Sequence, residues 1–191
     1  MQMTWALRAL VGALALVGTA EAAEHEGFFL GLGLGGAEGN FSVDNAKEAD
    51  VGTYFELTLG NAWSNGFGLS GGVSVNAYAY EVQAFGERIT DLTLTFVTID
   101  ASAWYFLPVS DDVELTLRAG LGSTQATTQL GNIKAQDDSV GLHLGFGADF
   151  FVGETFALQT ELFYRTYGVA FAVTEDEEVT AAGLQLGVRW R

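Results

Sequence analysis

Across residues 27–190, apolar side chains alternate with polar residues or glycine at every second position. A strand sends successive side chains to opposite faces, so this period marks strands that each carry one apolar face. The pattern is cleanest at residues 181–191, AAGLQLGVRWR. There Ala182, Leu184, Leu186, Val188 and Trp190 share one face, and Ala181, Gly183, Gln185, Gly187 and Arg189 share the other. An apolar-faced strand at this position, with an aromatic beside its end, suits a sheet whose last strand pairs with its first, because closure alone removes unpaired edges.

Eight such runs can be counted, at 27–37, 51–62, 67–82, 89–107, 113–128, 140–152, 155–171 and 181–191. Each is at least as long as the roughly 9–11 residues that cross a bilayer at a steep tilt. In the first, Phe28, Leu30, Leu32 and Leu34 oppose Gly31, Gly33 and Gly35. In the second, Phe55, Leu57 and Leu59 oppose Tyr54, Glu56 and Thr58. The fourth changes phase, from Leu92, Leu94 and Phe96 to Val97, Ile99, Ala101 and Ala103, which predicts a one-residue bulge near Phe96–Val97. Short connections at 63–66 (with Asn65-Gly66, a tight-turn signal), 108–112 and 153–154 alternate with longer polar ones at 38–50, 83–88, 129–138 and 174–178. Short turns on one side and long loops on the other are the layout of outer-membrane barrels, with the short side and both ends toward the periplasm. The predicted fold is therefore all-β: a closed antiparallel up-and-down transmembrane β-barrel of about eight strands.

Alternation alone does not say which face is wet, and a soluble ligand-binding barrel would turn its apolar face inward. Two features favour lipid outside. The less apolar face mixes glycine with single charges, which suits a narrow interior. Aromatics also gather near strand ends: Trp63, Phe67, Trp104, Tyr105, Phe106, Phe150, Phe151, Phe156 and Trp190 toward one rim, and Tyr78, Tyr80, Phe85, Tyr164, Tyr167 and Phe171 toward the other. They are predicted to form two interfacial girdles.

The remaining composition agrees. Residues 1–22 have the layout of a secretory signal peptide, with Arg8, an apolar core at 9–17 and small residues before the cleavage position, leaving residues 23–191 as the barrel domain. The apolar core is too short to span a bilayer as a helix, which takes roughly 20 residues. The chain has no cysteine, so neither a disulfide framework nor a lipid-bearing cysteine is available. A net charge of −16 argues against a nucleic-acid partner, because phosphate repels it.

With its leader, the opening GFFLGLGLGG, the eight alternating runs and the closing LQLGVRWR, the chain resembles the small OmpA/OmpX-type outer-membrane β-barrels, in a barrel-only form without a peptidoglycan-binding domain. Members of that family typically end on Phe or Trp, whereas here Arg191 follows Trp190. The resemblance implies a place in the cell outer membrane among lipid and lipopolysaccharide. It also implies insertion by the barrel-assembly machinery, with Leu186, Val188 and Trp190 as the assembly signal, and a monomeric state.

The candidate site is the interior. Glu56, Asp100, Glu114, Arg118, Asp149, Glu161, Arg165 and Arg189, with His143, fall on the inward parity. Buried charges are costly unless paired, so an ion-pair network around Arg118 and Arg165 is expected to plug the barrel. Structural filling is the preferred role, since about eight strands enclose an interior just filled by side chains; a gated ion path is the alternative. No catalytic, cofactor or metal site is expected. A lipid A-modifying enzyme would need a nucleophile beside a histidine at the lipid face, and His143 points inward while His25 precedes the first strand. The acidic residues Glu38, Asp44, Glu48, Asp50 and 175–178 (EDEE) read as solvated loops that could hold Ca²⁺ or Mg²⁺ against lipopolysaccharide phosphates. The expected role is structural, or surface contact through a loop partner.

Overall fold

A computed structural model of the chain describes residues 26–41, 51–84, 87–130, 133–169 and 177–191. The expected leader, His25, Phe85, Phe171, Asp44, Glu48, Asp50, Glu175 and Asp176 lie outside the described residues. The elements are β1 (Gly27–Phe41), β2 (Gly52–Ala62), β3 (Phe67–Ala84), β4 (Glu87–Ser110), β5 (Val113–Leu130), β6 (Ile133–Phe151), β7 (Phe156–Val169) and β8 (Glu177–Trp190). Each pairs antiparallel with the next, and β8 returns to β1, from Leu30↔Trp190 to Phe41↔Val179, to close the barrel. No helix among the described residues is long and apolar enough to cross a membrane, which says nothing of strands.

Short turns join β2 to β3, β4 to β5 and β6 to β7 at one end, where Trp190 also lies. In the first of them, Gly66 adopts a φ of 80°, a region that side chains disfavour, and its N–H donates to the Trp63 carbonyl at 2.9 Å. The Asn65 side chain accepts from the Phe67 N–H at 3.1 Å, so the Asn-Gly pair sets the reversal from both sides.

Outward faces are apolar over a belt about one membrane deep. On β6 it runs from Phe150 through Phe146, Leu144 and Leu142 to Val140, and then gives way to exposed Asp138 and Gln136. Beyond this belt β3 to β6 continue as strand. The segments 83–88 and 129–138, expected as loops, are mostly paired, through Ala84↔Glu87 and Leu130↔Ile133. Above the apolar belt an outward side chain has no lipid to satisfy, so a polar segment there is free to remain in the ladder.

The bulge expected near Phe96–Val97 is absent, because the register passes unbroken from Asn76↔Phe96 to Val75↔Val97. Irregularities fall instead between Tyr80 and Val82 and between Pro108 and Ser110. Leu94 and Phe96 keep the parity of Thr98 and Asp100 and are buried inside the barrel. The change along β4 is therefore in what fills the interior, and the strand does not switch faces.

The girdle assignment needs the same correction. Trp63, Phe67, Phe150, Tyr164 and Trp190 are exposed on the outside, with Tyr105 and Phe156 partly so. Trp190 packs edge-on against Phe156 at 5.5 Å. Trp104, Phe106 and Phe151 at one end, and Tyr78 and Tyr167 at the other, instead lie buried inside. A ring inside a narrow barrel excludes water as a girdle ring covers lipid, so proximity to a strand end does not separate the two roles; parity does.

Candidate functional site

The interior is filled at three levels. At the middle level Arg118 (β5) faces Glu56 (β2) with both terminal guanidinium nitrogens, Nη1 to Oε2 and Nη2 to Oε1, each at 2.8 Å. The same Nη2 lies 2.9 Å from Asp100 Oδ1 (β4), and Nε donates to Ser102 at 3.0 Å. This fork uses the planar geometry that arginine shares with carboxylates. Arg165 (β7) reaches the same two acids from the other side, at 3.1 Å from Glu56 Oε1 and 3.4 Å from Asp100 Oδ2. It also donates to Ser74 at 2.6 Å and to the Tyr54 hydroxyl at 2.7 Å. Gln185 (β8) donates to Glu56 at 3.3 Å. The cluster thus ties together strands separated by as many as 129 residues in the chain.

Glu161 sits at the margin of this cluster. Its Oε1 lies 3.8 Å from Arg118 Nη1 and 3.4 Å from His143 Nε2, and Gln159 donates to its Oε2 at 3.4 Å. The space is provided by Gly145 on β6, where a Cβ would stand 2.6 Å from Glu161 Oε1. His143 Nδ1 lies 3.0 Å from Arg165 Nη2. Arginine has no acceptor, so Nδ1 accepts and the ring proton sits on Nε2, facing Glu161. Glu56, Asp100 and His143 place one possible ligand atom each within 4.8 Å of one another. Two guanidiniums already occupy the carboxylates' free directions, so the donor set opposes a cation.

Glu114, Asp149 and Arg189 do not join this cluster. They form a second one toward the short-turn end, together with Arg191. Arg189 pairs with Asp149, while Arg191 grips Glu114 at 2.6 and 3.1 Å and lies 3.9 Å from Asp149. Guanidiniums and rings interleave there. Arg118 lies over Trp104 at 4.8 Å and Arg189 over Trp104 at 4.6 Å and Phe106 at 5.3 Å, and Arg191 lies over Phe106 at 4.3 Å. Phe29 from β1 closes against Trp104 and Phe106 at 5.9 and 5.7 Å. Such stacking suits arginine, whose planar cation is weakly hydrated. Arg191 was not among the sequence candidates; its parity with Arg189 is the signal that could have found it.

The third level, at the other end, is apolar. Tyr54, Tyr78, Leu94, Phe96, Phe163, Tyr167, Val179 and Ala181 form one buried cluster, with Phe96 stacked on Tyr167 at 4.5 Å. The expected assembly residues lie on the outer face of β8, with Leu186 exposed, Val188 half-buried and Trp190 exposed.

The outer-membrane protein beta-barrel domain model matches residues 7–191. No curated protein matches the chain. Among solved structures it is similar to Neisserial surface protein A, at 21% identity over 87% of this chain and 99% of that one, with a TM-score of 0.68. It is also similar to the outer membrane protein OprG of Pseudomonas aeruginosa, at 12% identity over 90% and 98%, TM-score 0.60. A third is Ail, the attachment invasion locus protein of Yersinia pestis, at 16% identity over 86% and 99%, TM-score 0.55. At these identities the likenesses speak for the fold, and the family match carries the assignment. This chain, an eight-stranded barrel with an apolar exterior and a filled interior, belongs to the outer-membrane β-barrel protein family and resides in the outer membrane.

Proposed function

We propose that the protein is a non-conducting, non-enzymatic outer-membrane barrel with a structural or surface-interaction role. It supports the membrane and holds polar strand extensions and loops at the outer surface. The observation that carries this reading is the filling of the interior: aromatic and arginine stacking at the short-turn end, ion pairs in the middle, and an apolar cluster at the far end. Eight strands enclose too little space to leave an axial channel beside such filling. His143, the histidine among the described residues, is buried between Arg165 and Glu161, which suits a packing role better than lipid chemistry.

In this reading residues 1–22 are the secretory leader and residues 23–191 the mature barrel. The short turns face the periplasm, and the barrel works as a monomer surrounded by lipid and lipopolysaccharide. Leu186, Val188 and Trp190 serve the barrel-assembly machinery as the closing-strand signal. The outer loops are acidic, in a chain of net charge −16. A structure of Ail was solved with the heparin analogue sucrose octasulfate, a polyanion; this chain's charge disfavours a ligand of that kind and suits divalent cations bridging to lipopolysaccharide phosphates, or a basic partner.

The rival reading is a small pore gated by the central ion pairs. It is favoured by the two-sided placement of Glu56, which already contacts both Arg118 and Arg165. Planar-bilayer recording of the refolded protein separates the two readings. We expect no discrete channel events from wild type or from Arg118→Ala; reproducible unitary currents from wild type would establish the pore and overturn the proposal.

A further inference from the structure

The wall has one seam, among the described residues, where two strands run side by side without a ladder. Pairing of β6 with β7 stops at His143↔Arg165. Yet β6 stays paired with β5 back to Ile133, and β7 stays paired with β8 on to Val169. Just past the last pair, the Leu142 N–H donates at 3.1 Å to the Thr166 hydroxyl in place of a main-chain carbonyl. Gly141 is needed there, because any side chain would run into the Thr166 carbonyl.

A small cavity of about 10 Å³, room for about one water molecule, lies directly behind this seam and is partly continuous with the exterior. Its inner lining includes Asp100, Thr124, His143 and Arg165, all at most 5% exposed, and its outer lining includes Leu142, a 38% exposed residue of the lipid face. The cavity therefore lies against the inner side of the seam, between the buried cluster and the lipid face. Its inner end carries polar hydrogen-bonding groups, and two buried nitrogens of its lining, Arg165 Nε and His143 Nε2, have no hydrogen-bond partner. A small polar space with unsatisfied donors is the kind that holds water. The seam lies near Val140, at the margin of the apolar belt, where water is at hand.

We propose that the β6–β7 seam is a lateral solvent portal: water, or a solute of similar size, reaches the central ion-pair cluster through the wall while the aromatic layers seal both axial ends. The absence of cysteine from the sequence makes the test direct. Thr124→Cys lines the cavity, whereas Thr116→Cys is equally buried but lies at the level of the second cluster. In vesicles, hydrogen peroxide, a solute of about water's size, is expected to oxidise the thiol of Thr124→Cys to the sulfenic acid, with release of water, about tenfold faster than that of Thr116→Cys, because the latter requires a larger opening of the barrel; dimedone labelling after unfolding reads the product. Adding Thr166→Val, which removes the hydroxyl that holds Leu142, should speed oxidation further, whereas Phe96→Leu in the apolar layer should leave it unchanged. Equal rates for the two cysteine variants, or a rate that responds to Phe96→Leu and not to Thr166→Val, would overturn the portal. Heat-modifiable gel mobility identifies the folded fraction of each variant, and Thr98→Cys, which lines the same cavity, replaces Thr124→Cys if that variant does not fold.

Discussion

Arg118→Ala is expected to lower the unfolding free energy by about 3–5 kcal/mol, the usual cost of leaving a buried ion pair without one partner. Arg118 supplies a fork to Glu56, a bond to Asp100 and a stacking partner for Trp104, and all four side chains are 5% exposed or less. With both axial ends of the interior occupied, at most single waters reach the two acids, too few to replace what is lost. Urea unfolding in lipid vesicles, followed by tryptophan fluorescence, measures the change. The double variant Arg118→Met with Glu56→Gln removes the charge on both sides and should recover most of the loss, because the cost lies in the stranded carboxylate more than in the missing attraction. A loss below about 1 kcal/mol in the single variant, the range of surface pairs, would mean that the pair is hydrated and the interior is not packed as described.

Arg189→Ala is expected to be of similar size and to act on closure. Arg189 lies on β8, the strand that joins β1, and its guanidinium reaches Asp149 on β6, Phe29 on β1, and Trp104 and Phe106 on β4. The variant leaves Asp149 with the more distant Arg191, at 3.9 Å, and removes stacking on three rings; the expected cost is about 3–5 kcal/mol for the pair, with up to about 2 kcal/mol more from desolvated stacking. Because these contacts span the seam between first and last strands, the loss should appear mainly as faster unfolding of the closed barrel, provided they form late in folding. Arg191→Ala removes a part-buried grip on Glu114 and should cost less, about 1–3 kcal/mol. Equal stability of Arg189→Ala and wild type would show that the short-turn cluster plays no part in closure.

Much of this architecture is legible in the sequence because a strand in a membrane obeys two rules at once: its outer face must be apolar, and its inner face must fit a narrow space. Leu184, Leu186 and Val188 satisfy the first, and Gly31, Gly33 and Gly187 the second. Parity alone also picks out Glu56, Asp100, Arg118, Glu161 and Arg165, which the structure brings into one cluster. Glu114, Asp149 and Arg189 share that parity but sit nearer the short turns, and depth along tilted, staggered strands is not written in residue type. The inner rings were obscured for another reason. A wet inner face predicts polar residues, so Phe96 and Leu94 look like a change of face, when they are packing against Tyr167, Tyr78 and Tyr54 in the apolar layer that closes this end of the interior. The strand extensions beyond the apolar belt were obscured because polar composition resembles a loop wherever lipid no longer enforces alternation. The break in the β6–β7 ladder depends on a glycine and a threonine, Gly141 and Thr166, that are unremarkable in isolation.

The central claim is a closed eight-stranded barrel in the outer membrane, and fractionation with unboiled gel electrophoresis tests it most directly. The account predicts recovery in the outer-membrane fraction, with a band that migrates at one position unheated and shifts after boiling, as the closed sheet resists detergent until heat opens it. Recovery in a soluble fraction, or a band whose mobility is the same with and without heating, would contradict it.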